Sequence, residues 1–124
     1  MEAALLVRAW QLNRTRAYGA AIEALREAPA SAAVCNARGF AHNGLKDYGQ
    51  AIAVLDEAIR LDPGLADAFN NRGYAYNGLR RFERAVADLT EAIRLDPGFA
   101  DAFNGRGFAR LGLRAFEAAL GDFD

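Results

Sequence analysis

One cysteine, one histidine, one methionine and three prolines are all that the 124 residues hold of those types, and the formal charge is nearly balanced at −1. Cys35 by itself closes no intramolecular disulfide. One Cys with one His falls short of the three or four closely spaced ligands of a zinc site, so no metal and no other cofactor is expected. Balanced charge removes the counterion release on which nonspecific nucleic-acid binding rests, so no nucleic-acid partner is expected either. No run approaches the roughly 20 apolar residues needed to span a bilayer, and the N-terminus lacks the basic, apolar and small-residue regions of a secretory signal. These absences point to a cytoplasmic chain without a membrane segment, the periplasm staying open if a signal was removed. What is present is 52% apolar and 25% charged, enough for one compact domain and too apolar for a disordered one. Abundant arginine and alanine with a single lysine, Lys46, suggest a GC-rich bacterial source.

The chain repeats itself. Ala32–Leu65 aligned with Ala66–Phe99 gives 19 identities in 34 positions, and Ala66–Thr90 against Ala100–Asp124 gives 15 in 25, neither needing a gap, so the period is 34 residues. Upstream, Tyr18–Ala28 matches Tyr48–Ala58 at an offset of 30. One domain over residues 1–124 is expected, with units at about 2–31, 32–65, 66–99 and 100–124, the last stopping short of a full period. Each unit reads as two helices. In the third, Phe69, Gly73 and Tyr76 form one apolar stripe, and Phe82, Ala85, Val86, Leu89, Ala92 and Ile93 form a second. Gly44, Gly78 and Gly112 stand where the first helices would end in left-handed caps, and Asp62-Pro63-Gly64 and Asp96-Pro97-Gly98 stop the second helices. Asp47 with Gln50 makes a capping box for one second helix, whereas Arg81 and Arg84 cannot accept those bonds in the next, which should fray more.

These residues resemble the tetratricopeptide repeat, whose 34 positions carry a large apolar residue, Gly, an aromatic, Ala, a further large residue, Ala and Pro in fixed order. Unit three supplies Phe69, Gly73, Tyr76, Ala85, Leu89, Ala92 and Pro97; unit two supplies Cys35, Gly39, His42, Ala51, Leu55, Ala58 and Pro63. The resemblance implies an all-α, right-handed superhelical solenoid of antiparallel helix pairs with about three and a half repeats. Gly39, Gly73 and Gly107 would then lie where the two helices cross, with Ala51, Ala85 and Ala119 as small partners. The chain departs from the family in its Arg8, Arg38, Arg72 and Arg106, where Leu is usual. Arg72 and Arg106 can reach Asp88 and Asp122 on the second helices of their own units, while Arg38 faces Val54 and must look elsewhere. Arg110 replaces an aromatic in unit four, and Leu5, Ala9 and Leu12 give unit one a smaller core.

Catalytic chemistry has no evident seat. Nucleophiles and bases are limited to Thr15, Ser31, Cys35, Thr90 and His42, and Cys35 and His42 occupy the positions of Phe69 and Tyr76 in the next unit, which assigns them to the packing seam. The acids Asp62, Asp67, Asp96 and Asp101 are spread singly at turns. A non-catalytic scaffold or adaptor is the expected function, with an assembly chaperone or accessory subunit of an enzyme complex as the alternative.

The resemblance places ligands on the inner face of the first helices. By register that face carries Asn36, Phe40 and Asn43, then Asp67, Asn70, Asn71, Tyr74 and Asn77, then Asp101, Asn104, Phe108 and Leu111. Two ladders follow, an amide one of Asn36, Asn70 and Asn104 and an aromatic one of Trp10, Phe40, Tyr74 and Phe108. Amides hold an extended peptide through its backbone, and aromatics add apolar anchors. With Asp67 and Asp101 there and no basic residue at matched positions, the expected protein or peptide partner is neutral, apolar or basic, unlike the acidic tails that some relatives clamp. Lys46, Arg80, Arg81, Arg84 and Arg114 gather on another edge, interleaved with Asp47 and Glu83, and read as a solvated rim. Phe116, Leu120 and Phe123 leave an apolar face at the last helix, through which a homodimer could form.

Overall fold

Every span between the expected breaks is a helix in the computed structural model, which describes residues 2–123. Eight α-helices and no strand occur among the described residues: α1 (Glu2–Arg14), α2 (Tyr18–Ala24), α3 (Ala32–Gly44), α4 (Tyr48–Leu61), α5 (Ala66–Gly78), α6 (Phe82–Leu95), α7 (Ala100–Gly112) and α8 (Phe116–Phe123). They pack as pairs α1·α2, α3·α4, α5·α6 and α7·α8, and each second helix also meets the first helix of the next pair. Successive first helices, α1·α3, α3·α5 and α5·α7, lie against one another, whereas the second helices of successive pairs stay apart. A stack that is tighter along its first helices bends toward them, which puts α3, α5 and α7 on the concave side of an all-α solenoid.

The apolar stripes explain the stacking. Leu25, Leu55 and Leu89, one per second helix, are fully buried, and Ala21, Ala51, Ala85 and Ala119 let the paired backbones approach closely. Truncating such a leucine to alanine costs about 2–5 kcal/mol. Cys35 and Tyr76 lie in the same packed layers, while His42 is half-buried, which fits the seam role expected of Cys35 and His42.

Helix ends correct the expectation about glycine. No glycine has a positive φ; the left-handed residues are Arg16, Lys46, Arg80 and Arg114, at φ of 60° to 65°. In each first-helix ending the left-handed residue donates its N–H to the carbonyl three residues back and the following residue donates to the carbonyl five back, as Arg80 does to Asn77 and Arg81 to Tyr76. This is a Schellman closure built on a basic residue. A left-handed non-glycine residue costs about 1–2 kcal/mol. Guanidinium contacts with rings offset part of that cost: Arg80 lies 5.6 Å from the Phe82 ring centroid and Arg114 5.7 Å from that of Phe116.

Gly44, Gly78 and Gly112 serve a different purpose. A Cβ on each would enter the ring of Tyr18, Tyr48 or Phe82, the first residue of the second helix in the preceding unit. The crossing glycines also differ in partner from the expectation. Gly39, Gly73 and Gly107 make room not for Ala51, Ala85 and Ala119 but for Leu55, Leu89 and Phe123; a Cβ on Gly73 would lie 2.6 Å from Leu89 Cγ.

The capping box expected at Asp47 does not form. Asp47 makes no cap hydrogen bond, and α4 and α6 both start without a side-chain cap and both run for 14 residues, so the two starts do not differ as expected. Ser31 does cap α3, accepting from Val34 N–H at 3.1 Å. The stops after α4 and α6 are turns in which the Asp62 and Asp96 carboxylates accept from Gly64 and Gly98 N–H at 3.0 and 3.3 Å.

Candidate functional site

Arginines at the helix crossings hold the frame of the groove. Arg72 donates from Nε and Nη2 to both oxygens of Asp88, at 2.9 and 2.8 Å, and from Nη1 to Asp56 of the preceding unit at 2.8 Å. Its pKa is raised, chiefly by the hydrogen bonds to Asp88. Arg106 pairs with Asp122 at 2.8 Å, and its Nη1 meets Thr90 at 3.2 Å. The two pairings expected within units are therefore present, and each arginine also bridges to the unit before. Arg110, where unit three has Tyr76, adds a third cation contact to Asp122 at 2.7 Å. Arg38, facing Val54, has a buried Nε with no acceptor.

Asparagines form a second set of inter-unit ties that the amide-ladder reading did not separate from the groove. Asn13, Asn43 and Asn77 donate from Nδ2 to the backbone carbonyls of Ala37, Asn71 and Gly105 at 3.3, 2.9 and 3.0 Å. The acceptors are 34 residues apart, so one tie recurs at each junction. Each donor side chain keeps a buried Oδ1 without a partner. Asn71 donates to Asn36 Oδ1 at 2.8 Å, and both are buried. At Asn36, Asn43 and Asn71 the inner face is thus composed of amides engaged with the protein rather than free ones. The recurrence of Asn13, Asn43 and Asn77 in the last turn of each first helix was the sequence signal for this role.

What stays open to solvent is narrower. Tyr74 is 56% exposed and Phe108 53% exposed, while Asp67, Asp101 and Asn104 are exposed, Asn70, Asn77 and Phe40 are half-buried, and Leu111 is exposed. The groove aromatics lean on the rings that close over the terminal glycines: Phe40 against Tyr18 at 6.4 Å between centroids, Tyr74 against Tyr48 at 6.4 Å and Phe108 against Phe82 at 6.1 Å. Trp10 meets Phe40 at 5.2 Å. One edge of each ring is fixed by the neighbouring unit and the rest faces the groove, which makes a low-entropy anchor.

Between α3, α5 and α7 lies a hollow of about 340 Å³. Phe40 and Tyr74 wall it, Asn70, Asn104 and Asp101 edge it, and Asn43, Asn71 and Gly105 also line it. Asp101 is the one charged residue in the lining. A second hollow of about 300 Å³ adjoins Phe40 on its other side, lined by Trp10, Asn13 and Arg14. Arg80, Arg81 and Arg84 of the basic rim line a separate hollow outside the groove.

Acid, base and nucleophile chemistry gains no seat from the fold. Burial raises the Cys35 thiol pKa against the opposing pull of Arg38. Burial also lowers the His42 pKa from its ordinary 6.5, with Asp47 opposing at 3.6 Å from Nδ1. No group of three potential metal ligands occurs among the described residues, and no described helix is long and apolar enough to cross a membrane.

Comparisons with known proteins agree with this architecture. The family described as tetratricopeptide repeat matches residues 66–99, and a second family, described as TPR repeat, matches residues 39–79. Among solved structures, the second TPR of Spaghetti (RPAP3) bound to HSP90 peptide SRMEEVD is 34% identical with a TM-score of 0.72, the match covering 74% of this chain and 85% of that one. The Arabidopsis OM64 TPR domain is 32% identical with a TM-score of 0.73, covering 74% and 76%. MamA is 26% identical with a TM-score of 0.83, covering 96% and 72%. No curated protein matches the chain in sequence. The recurring Gly, Ala and Pro positions, the stacked helix pairs and these matches together establish that the chain belongs to the tetratricopeptide repeat family.

Proposed function

We propose that this chain is a non-catalytic protein-interaction module that holds an extended peptide segment of a partner in its concave groove, acting as a scaffold or adaptor. The observation that carries this reading is the pair of ring-braced but half-open aromatics, Tyr74 and Phe108, beside the hollow between α3, α5 and α7. An exposed aromatic fixed on one edge supplies contact area at small entropic cost. Asn70 and Asn104 supply amide donors and acceptors for a peptide backbone. The solved relative that holds the HSP90 peptide SRMEEVD supports the peptide-binding part of the reading. Its peptide is acidic, whereas the hollow here presents Asp101 and no Lys or Arg, so the ligand chemistry differs.

The test is peptide-display selection on the chain and on its Asn70→Ala, Tyr74→Ala variant, with helical content checked by circular dichroism. Peptides selected by the parent should bind the variant about ten- to a hundredfold more weakly, the range of a central aromatic anchor with one hydrogen-bonding neighbour. Equal binding by both removes the groove from the function.

A second reading, self-association, rests on α8, where Phe116, Leu120 and Phe123 are exposed to 53, 64 and 47%. These side chains occupy the face that α3, α5 and α7 cover on α2, α4 and α6. A mass that rises with concentration in sedimentation equilibrium supports this reading, and a monomer at every concentration rules it out.

A further inference from the structure

We infer that the groove selects a basic segment, with one lysine or arginine side chain seated in the central hollow between Phe40 and Tyr74 and directed at Asp101. This rests on the peptide-groove reading and names the chemistry of its ligand. The charge argument starts from the acids of the whole chain. Asp56, Asp88 and Asp122 are paired with arginines across helices, and Glu23, Glu57 and Glu91 with arginines one turn away. Asp62 and Asp96 accept from turn amides, and Asp47 stands beside His42. Asp67 and Asp101, 34 residues apart at the start of α5 and α7, make neither an ion pair nor a cap hydrogen bond, and both are exposed.

An acid in the first turn of a helix also complements the helix dipole, which accounts for the sign of these two charges. It does not account for the missing counter-charge. Fifteen Lys and Arg residues are present in the chain, and none lines the hollow. The nearest basic residue on the concave side, Arg14, lines the adjoining hollow beyond Phe40.

The other groups in the lining favour the same ligand. Lysine and arginine heads are donors without acceptors, and their stems are apolar. Phe40 and Tyr74 offer ring faces, which attract cations and cover methylene stems. The unspent hydrogen-bonding capacity is that of acceptors: the Asp101 carboxylate, the Asn70 and Asn104 carbonyl oxygens, and Asn43 Oδ1, which has no donor although Asn43 is buried. A carboxylate in the same place would meet Asp101 with no cation to balance it, so an acidic tail is excluded by charge as well as by donor count.

The experiment is a display selection from a random peptide library on the full chain, on Asp67→Asn, Asp101→Asn and on Asn70→Ala, Tyr74→Ala, all checked for helical content. Parent-selected peptides are expected to be enriched in Lys or Arg at one position. Replacing that residue by Met, or binding to the double Asn variant, should weaken a selected peptide about tenfold, with the parent's affinity also falling as salt rises. Selected peptides without a basic excess, or basic peptides that bind the double Asn variant undiminished, overturn the inference; in that event loss of binding to Asn70→Ala, Tyr74→Ala keeps the groove reading intact. Failure of the parent to select any peptide overturns both.

Discussion

Gly49 and Gly78 are both helical, and substitution should move stability in opposite directions. A Cβ on Gly49 meets nothing within 4 Å, and the equivalent residue in the next unit is Glu83. Gly49→Ala should therefore gain about 0.5–1 kcal/mol, the usual cost of glycine in a helix. A Cβ on Gly78 would enter the Tyr48 ring, so Gly78→Ala should lose about 1–3 kcal/mol through overpacking. Urea denaturation of the two variants checks both, and a shared sign would contradict the packing described. The distinction was only partly legible in the chain itself. Gly44, Gly78 and Gly112 recur as expected of an essential position, but recurrence does not say whether a glycine is needed for its φ or for the space above it. The missed signal was the aromatic set Tyr18, Tyr48 and Phe82, which recurs with the same period and fills that space.

Arginines at the helix crossings show how one element is tied to the next. Arg72 and Arg106 were readable as partners of Asp88 and Asp122 because residues 16 apart in an antiparallel pair of this length lie opposite one another. Their further contacts to Asp56 and Thr90 depend on how one unit is rotated against the next, which the repeat pattern does not specify. Unit two lacks the acid, leaving Arg38 Nε buried without an acceptor. Val54→Asp should supply it and stabilise the chain by about 1 kcal/mol, the gain of a charged hydrogen bond less the lost apolar contact of valine. Asp88→Val in unit three should instead cost about 1–3 kcal/mol, because Arg72 keeps only the exposed Asp56. Thermal melts of the pair decide it, and a destabilised Val54→Asp would mean that Arg38 is satisfied by solvent.

The whole molecule is a row of junctions, each made from an Asn tie, an aromatic over a glycine and a buried leucine. A row of this kind is stable through its neighbours rather than through one shared core, so a helix without a neighbour is its weakest place. At α8, Phe116 occupies the position of Tyr18, Tyr48 and Phe82 but has no glycine to cover. If a second copy covers this face, Leu120→Glu should hold the chain monomeric at concentrations where the parent associates, without changing peptide selection by the groove. Sedimentation equilibrium separates the two, and unchanged association of the variant would move the contact elsewhere.

The sequence by itself determined the period, the two-helix unit, the family and the intra-unit ion pairs. All of these follow from residue spacing, since spacing fixes which side chains share a helix face and which face one another across a short turn. Only the tertiary structure decided which polar residues of the concave face are free. Asn36, Asn43 and Asn70 look alike as letters on helical stripes, yet the first two are buried and bonded while the third edges the hollow. The physical reason is that a helix face has a width: the angle at which one unit sits on the next draws part of that face into the junction and leaves part of it to water. That angle is set jointly by Gly78, Tyr48, Asn43 and their equivalents, and a local pattern holds no record of it.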